Sequence, residues 1–282
     1  MEKLCDLHTH STYSDGTFSP AQLIAEATRV GLSAIALTDH NSVAGLPEFL
    51  AAAQNSCVEA ISGIEFSTDY QDVELHIVCL FVNPEHYGPI TELTDEMNRR
   101  KQQSNVDLIK KLNQAGYAID YQRIKSSMPE GEPNRALIAA ELTRLGYTAS
   151  IKEAFKTLLS TKCGFYTPPK RVDVFELIEL MRNLGTVPIL AHPFLSIKDE
   201  GQLRTFLTKA EKCGLQGMET RYPLFSQEQT AKLEMLAQQF DLAQSGGSDF
   251  HGENKPDIRL GRGKGELQVP YGFLMKLQQR MG

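Results

Sequence analysis

DLHTHSTYSDG, residues 6–16, closes the first apolar run of the chain. His8 and His10 stand two residues apart, and the two-residue period of a β-strand places both rings on one face. Such a pair can share one cation, because neutral imidazole binds zinc, manganese, iron and nickel. Asp15 follows closely enough to add a carboxylate oxygen. Taken alone, the pattern also fits a strand end with two surface histidines and a turn aspartate.

The remaining histidines repeat this placement. The chain contains seven histidines, and all except His86 lie at or just past the end of an apolar segment. The six are His8, His10, His40, His76, His192 and His251, and acids at the same kind of position are Asp15, Asp39, Glu65 and Asp249. Surface histidines would scatter over helices and loops, whereas metal ligands are expected where many strands end together. The sequence therefore predicts a polynuclear metal site.

Alternating strands and helices predict the architecture. The strand before His8 leads into a helix that begins at Ser19-Pro20-Ala21-Gln22 with a capping-box spacing, and a strand at Ala34 to Thr38 follows. About seven strands can be counted, most followed by helices, which predicts an α/β fold with a closed or nearly closed parallel barrel. The carboxyl ends of the strands of such a barrel share one face, and the predicted ligands fall on that face.

A basic helical block interrupts the alternation. We predict a discontinuous barrel of residues 1–96 and 171–282, with residues 97–170 inserted as a helical domain that binds substrate. The net charge of the chain is −6, but between Met97 and Arg171 there are fourteen Lys or Arg residues against six Asp or Glu residues. A basic segment suits an anionic substrate, although solvated helix faces account for most of these cations.

Composition indicates the compartment in which the protein is expected. The apolar runs all fall short of the roughly 20 residues of a membrane span, and the chain begins without a signal-peptide pattern. The five cysteines are odd in number and lack a Cys-x-x-Cys spacing, which predicts free thiols in a reducing compartment. We therefore expect a cytoplasmic protein with no membrane contact and no obligatory protein partner.

The histidine and acid motifs resemble those of the polymerase and histidinol phosphatase (PHP) superfamily. The matching segments are His8-Thr9-His10 with Asp15, Thr38-Asp39-His40, Glu65, His76, Ala191-His192-Pro193 and Ser248-Asp249-Phe250-His251. The resemblance implies a distorted (β/α)7 TIM-like barrel and three divalent metal ions, with Mn²⁺ expected first and Fe²⁺ or Zn²⁺ as alternatives. It assigns His8, His10, Glu65 and Asp249 to the first metal, Glu65, His76 and His192 to the second, and Asp15, His40 and His251 to the third.

Within the superfamily, the insert most resembles the branch that acts on nucleoside 3′,5′-bisphosphates and on short RNA from the 5′ end. That branch usually carries an Arg-Pro-His triplet that meets substrate, and the corresponding residues here are Arg135-Ala136-Leu137. The resemblance therefore implies a phosphoesterase for small anionic nucleotides, such as pAp, or for short 5′-phosphorylated RNA. Leucine in place of the histidine leaves the exact substrate open.

Phosphate ester hydrolysis needs a nucleophilic water and cations that take up charge on the phosphoryl oxygens. We expect a hydroxide between the first two metals to attack, while the third metal holds phosphate. Asp39 is expected to orient an imidazole, with proton transfer as its alternative role. Arg135 is the candidate for a second phosphate, and a surface arginine at a helix end is the alternative. Arg221 and Tyr222 are expected to contact the leaving group or to pack structurally, and Lys255 to contact phosphate.

Two other functions fit parts of the pattern. One is histidinol-phosphate phosphatase, but the basic insert and Asp15 disagree with it, because that branch often has histidine at the position of Asp15. The other is a non-catalytic metal-binding module, like the PHP domains attached to some polymerases. The complete set of ligand positions and the absence of polymerase sequence weigh against that module.

Overall fold

The computed structural model describes residues 3–126 and 134–281. Two compact units divide the chain, the first comprising residues 1–92 and 172–282 and the second residues 93–171. The first unit is built on a sheet with the strands β1 Cys5–Asp6, β2 Ala34–Leu37, β3 Glu59–Tyr70, β4 Val73–Leu80, β5 Val172–Asp173, β6 Val187–Leu190, β7 Gly217–Arg221 and β8 Ala243–Gly246.

Helices follow most of these strands. In the first unit they are α1 Pro20–Val30, α2 Leu46–Ala53, α7 Val174–Asn183, α8 Pro193–Ser196, α9 Glu200–Lys212, α10 Gln227–Gln239 and α11 Tyr271–Gln278. The second unit holds most of α3 Tyr87–Gln114 together with α4 Tyr121–Ser126, α5 Arg135–Arg144 and α6 Ile151–Lys156. Among the described helices, none has both the length and the apolar character that crossing a bilayer requires.

The sheet has the strand order β1-β2-β3-β4-β6-β7-β8, and β5 pairs with β3 outside this path. Its two outer strands approach each other, because the Leu7 N–H donates to the Gly246 carbonyl at 3.1 Å and the Asp249 N–H donates to the His8 carbonyl at 2.9 Å. The expected α/β fold with a nearly closed barrel is confirmed. Two of the pairings differ from the expected parallel barrel, since β4 runs antiparallel to both β3 and β6.

The antiparallel pairing arises from a hairpin that the sequence reading missed. The apolar segment before Glu65 predicts only the first part of β3, because the strand continues past Glu65 to Tyr70 and turns directly into β4. Gln71 and Asp72 form the two-residue turn, with φ of 52° and 66°. Two positive φ values match the type I′ turn, whose twist suits a hairpin. Glu65 and His76 therefore lie inside long strands and not at strand ends.

The capping box expected from the spacing of Ser19 and Gln22 is present. Ser19 accepts from the Gln22 N–H while the Gln22 side chain accepts from the Ser19 N–H, which completes the capping box of α1. Gly31 ends the helix with φ of 77°, a conformation that costs glycine little. A second capping box, between Ser226 and Gln229, begins α10.

Each unit has a hydrophobic core of its own. The core inside the sheet is formed by inward side chains of the strands together with α11, and its members include Leu7, Ala36, Val78, Leu80, Ile189 and Leu277. The second unit is packed around α3 and α5, with Leu108, Leu112, Ile138 and Leu142 fully buried. Leu137, the residue that replaces the usual histidine, packs against this second core. The core of the first unit supports the side chains described next.

Candidate metal centre

Nine side chains from the sequence prediction meet in the first unit. His8 and His10 follow β1, His40 follows β2, and His192 follows β6. Glu65 and His76 extend from neighbouring strands of the hairpin, and Asp249 and His251 follow β8. Asp15 belongs to the turn after His10. Four overlapping groups of these residues bring ligand atoms within 4.8 Å of one another.

Glu65 lies at the centre of the cluster, and its two carboxylate oxygens face different partners. Oε1 is 2.9 Å from His76 Nδ1 and 3.1 Å from His192 Nε2. Oε2 is 3.3 Å from His8 Nε2, 3.4 Å from His10 Nε2 and 2.9 Å from His40 Nδ1. A carboxylate with this arrangement can bridge two cations, one on each oxygen.

The two aspartates of the cluster complete separate groups. Asp249 Oδ1 is 3.2 Å from His10 Nε2 and 3.7 Å from His8 Nε2. Asp15 Oδ1 is 3.2 Å from His251 Nε2, and Asp15 Oδ2 is 3.9 Å from His40 Nε2. The second group is more open, because Asp15 and His40 are partly exposed whereas His8 and Glu65 are fully buried.

Polar atoms in the cluster show that these residues fit metal ions. Five buried ligand atoms form no hydrogen bond within the described residues: His8 Nε2, His10 Nε2, Asp15 Oδ1, His40 Nδ1 and Glu65 Oε2. Leaving a buried polar atom unpaired is costly, so such atoms are rare unless they serve a ligand. Imidazole nitrogens mixed with carboxylate oxygens suit divalent manganese, iron and zinc. The donor set therefore fits divalent cations.

The electrostatics of the cluster favour positive charge. Burial lowers the pKa of His8, but the carboxylates of Glu65 and Glu219 outweigh burial and raise it well above the usual value. The same balance, set by Glu65 and Glu74, raises the pKa of His76 to about 10. Burial raises the pKa of Glu65, and the surrounding imidazoles reverse this and hold it well below its usual range. The carboxylates thus create a field that stabilises cations.

Glu219 and Asp6 are site residues that the sequence reading missed. Glu219 Oε1 accepts from His8 Nδ1 at 2.8 Å, and Oε2 accepts from the His192 N–H at 2.6 Å. Asp6 accepts from the Ser248 N–H, the Ser248 hydroxyl and the Gly261 N–H at 2.8, 2.5 and 2.7 Å. Both carboxylates are fully buried or nearly so. Glu219 orients two candidate ligands, and Asp6 connects β1 to the segment that carries Asp249.

Asp39, which we expected to orient an imidazole, contacts the turn after His10. It accepts from the Ser11 N–H at 2.7 Å, the Ser11 hydroxyl at 2.6 Å and the Ser14 hydroxyl at 2.6 Å. Ser14 Oγ in turn lies 3.5 Å from His10 Nδ1. Asp39 therefore fixes the turn that carries Asp15, and Ser14 connects it to the imidazole of His10. Its role in orienting an imidazole stays a prediction.

The four residues expected to contact substrate lie in three different places: two at the cluster, one in an ion pair with α10 and one in the second unit. Tyr222 Oη and Lys255 Nζ each donate to Asp249 Oδ2 at 2.7 Å, so both lie at the cluster. Arg221 forms an ion pair with Glu234 on α10. The Arg135 guanidinium lies in the second unit, 4.2 Å from the ring centroid of Tyr166.

The backbone near the cluster is tightly constrained. His192 and Asp249 have φ of 28° and 53°, in the left-handed region that residues other than glycine rarely adopt. Such conformations cost about 1–3 kcal/mol each and persist where the surroundings impose them. The bond from the His192 N–H to Glu219 and the bond from the Asp249 N–H to the His8 carbonyl impose them here. A Cβ on Gly247 would lie 2.4 Å from His8 Cβ, so only glycine lets β1 and β8 approach this closely.

Proteins of known sequence and structure resemble this chain over nearly its whole length. It is 32% identical over 251 residues to a 5′-3′ exoribonuclease of Haemophilus influenzae, covering 89% of this chain and 91% of that protein. It is 25% identical over 256 residues to a 3′,5′-nucleoside bisphosphate phosphatase of Chromobacterium violaceum, covering 90% of each. A crystal structure from Bifidobacterium adolescentis, described as a metal-dependent phosphoesterase, superimposes with a TM-score of 0.83 at 26% identity, covering 99% of this chain and 97% of that one.

The barrel and its cluster of histidines and carboxylates define a metal-dependent phosphoesterase, and so a hydrolase. The PHP domain family matches residues 6–165, more than half of the chain. The chain belongs to the PHP domain family, which confirms the resemblance seen in the motifs.

Proposed function

We propose that the nine clustered residues hold three divalent cations. His8, His10, Glu65 and Asp249 would hold the first, Glu65, His76 and His192 the second, and Asp15, His40 and His251 the third. The observation that carries this proposal is that the two oxygens of Glu65 face different imidazoles, with His76 and His192 at Oε1 and His8, His10 and His40 at Oε2. Mn²⁺ is the first candidate because the donor set mixes nitrogen with hard oxygen, and Fe²⁺ and Zn²⁺ remain alternatives.

The proposed substrates are nucleoside 3′,5′-bisphosphates and short 5′-phosphorylated RNA. Two relatives that cover about nine tenths of the chain support this choice, one an exoribonuclease and the other a nucleoside bisphosphate phosphatase. The basic segment from Met97 to Arg171 supports an anionic substrate larger than a simple phosphate monoester. Unpaired cysteines, with Cys57 and Cys163 exposed, support a reducing compartment such as the cytoplasm.

The residues of this chain would prepare the site in three ways. Bound divalent cations supply a nucleophilic water at neutral pH and neutralise charge on the phosphoryl oxygens. Glu219 keeps Nε2 of His8 available as a ligand by accepting a hydrogen bond from Nδ1. Tyr222 and Lys255 hold Oδ2 of Asp249, so that Oδ1 faces the imidazoles. Together these contacts present ligand atoms without rearrangement.

A cavity beside Asp249 would receive part of the nucleotide. Its volume is about 230 Å³, and Tyr222, Leu224, Ile258 and Lys264 are among the residues that line it. Apolar walls with a few cationic groups are typical of pockets for small organic anions. We assign this cavity to the sugar or base, and Lys264 to a contact with phosphate.

A substrate panel with Mn²⁺ tests the proposed function. We expect phosphate release from adenosine 3′,5′-bisphosphate, nucleotide release from a 5′-phosphorylated oligoribonucleotide, and no hydrolysis of histidinol phosphate. Hydrolysis of histidinol phosphate alone would overturn the proposal. Bound metal with no turnover of any substrate would instead indicate a non-catalytic module.

The contact between Arg135 and a second phosphate stays a prediction from the sequence. Arg135→Ala is expected to raise the KM for adenosine 3′,5′-bisphosphate about tenfold or more, because a bidentate guanidinium contact is lost. Hydrolysis of an aryl phosphate should be unchanged. Arg144→Ala, at the other end of α5, is the matched control and should alter neither substrate. If Arg135→Ala impairs hydrolysis of adenosine 3′,5′-bisphosphate and of the aryl phosphate equally, Arg135 does not contact the second phosphate.

A further inference from the structure

A basic groove lies within the second unit, and the metal centre does not involve it. Its volume is about 660 Å³, and it runs along one face of α3 beside the segment Thr167-Pro168-Pro169-Lys170. The α3 residues that line it recur at helical spacing: Arg100, Gln103, Ser104, Asp107, Lys110 and Lys111, with Gln114 beyond them. From Arg100 to Lys111 this face extends about 16 Å, at about 1.5 Å per residue.

The walls of the groove are held together by direct contacts. Ser104 Oγ donates to the Thr167 carbonyl at 2.5 Å, and Lys111 Nζ donates to Thr167 Oγ1 at 3.0 Å. These bonds hold Thr167 against α3 at two points along the helix. The wall that begins at Thr167 is therefore joined to α3 by direct contacts.

The charge of the groove favours anions. Four cations line it, Arg100, Lys110, Lys111 and Lys170, against one carboxylate, Asp107. That carboxylate accepts from the Gln103 amide at 3.0 Å, and Arg100 is paired with Glu96. Lys110 and Lys170 are exposed, and neither forms an ion pair or hydrogen bond with the described part of the chain. Both ammonium groups can therefore bind a ligand without breaking an existing pair.

The residue types do not favour recognition of bases by aromatic stacking. The residues that line the groove include no aromatic side chain, whereas sites that stack bases present aromatic rings. Ammonium groups, amides and a hydroxyl are the groups that contact phosphate and sugar. Cations spread over about 16 Å also exceed the reach of the two phosphates carried by one nucleoside bisphosphate. The size and charge of the groove therefore suit a ligand that carries several phosphates in a row.

We propose that this groove binds the sugar-phosphate backbone of a single-stranded RNA substrate, through Lys110 and Lys170, without regard to base sequence. The inference rests on the proposed function and narrows it, because it favours RNA over nucleoside bisphosphates as the substrate. Backbone contacts without stacking imply that single-stranded DNA binds the groove equally well.

The test compares the double variant Lys110→Ala/Lys170→Ala with the unaltered protein. Anisotropy of a labelled 5′-phosphorylated oligouridylate, measured in chelator to prevent hydrolysis, gives affinity as a function of salt. We expect the double variant to bind about fivefold or more weakly at low salt, and the slope of log affinity against log salt to fall by about 1.4, from about 0.7 for each phosphate contact. The kcat/KM for adenosine 3′,5′-bisphosphate should remain unchanged with Mn²⁺.

Lys152→Ala is the matched control, because Lys152 is an exposed cation of α6 that does not line the groove. The proposal is overturned if the double variant binds the oligonucleotide like the unaltered protein, or if Lys152→Ala weakens binding as much as the double variant does. A larger loss for duplex RNA than for the single strand would also overturn it. Because the binding assay needs no turnover, failure of the proposed phosphoesterase substrates leaves this test intact.

Discussion

Substituting Glu219 by glutamine tests how the metal centre is organised. The carboxylate of Glu219 accepts hydrogen bonds at both oxygens, from His8 Nδ1 at 2.8 Å and from the His192 N–H at 2.6 Å. Glutamine keeps the shape but has one acceptor oxygen and one donor NH₂ group. If the oxygen accepts from His192, the NH₂ group faces His8 Nδ1. The imidazole must then carry its proton on Nε2, the atom that lies 3.3 Å from Glu65.

The expected loss of affinity for metal follows from this change of the His8 tautomer. An imidazole with a proton on Nε2 cannot bind a cation through that atom, and removal of an outer hydrogen-bond partner typically costs 10–100-fold in metal affinity, about 1.4–2.8 kcal/mol. Isothermal titration of chelator-treated Glu219→Gln protein with Mn²⁺ would measure the loss. Turnover should require a correspondingly higher Mn²⁺ concentration, with kcat partly restored at saturation.

The matched control is Glu234→Gln, which makes the same chemical change to a partly exposed carboxylate that pairs with Arg221 and contacts no imidazole in the described part of the chain. It should bind Mn²⁺ like the unaltered protein. The reasoning is refuted if Glu219→Gln, folded according to circular dichroism, binds Mn²⁺ within twofold of the unaltered protein.

Three further outcomes are expected. The carboxylates raise the pKa of His8 well above its usual value and that of His76 to about 10, so the metal-free protein holds protons that Mn²⁺ must displace. The affinity for Mn²⁺ should therefore rise with pH, and titrations in buffers of different ionisation enthalpy should show proton release. Binding heats that do not depend on the buffer would contradict this. Gly247→Ala should lower both the thermal unfolding midpoint and the metal content, because the added Cβ would lie 2.4 Å from His8 Cβ. An unchanged melting curve would show that β1 and β8 can separate freely. Tyr222→Phe removes one of two donors to Asp249 Oδ2 and should weaken Mn²⁺ binding severalfold, whereas an effect on substrate KM alone would assign the hydroxyl to substrate.

Local sequence was enough to predict the type of site. Histidines and acids near the ends of apolar segments identified the nine side chains that the structure brings together. Most of them follow a strand and so lie at the end of the sheet, whereas Glu65 and His76 reach the cluster from within the hairpin. The helix start at Ser19 followed from short-range hydrogen bonds within one turn. Such signals depend on neighbours in the chain and can be read without knowledge of the fold.

Tertiary structure decided the contacts between distant residues. Glu219 lies in the middle of a strand and is separated by 211 residues from His8, and Asp6 is separated by 242 residues from Ser248, so no local pattern marks either pair. The β3 and β4 hairpin was missed because the apolar run ends at Glu65 while the strand, paired with β4, continues to Tyr70. A buried carboxylate accepts hydrogen bonds from the donors that the closed sheet places beside it. The sequence alone therefore specified which candidate metal-binding groups the structure brings together, and the closure of the sheet determined which groups contact them.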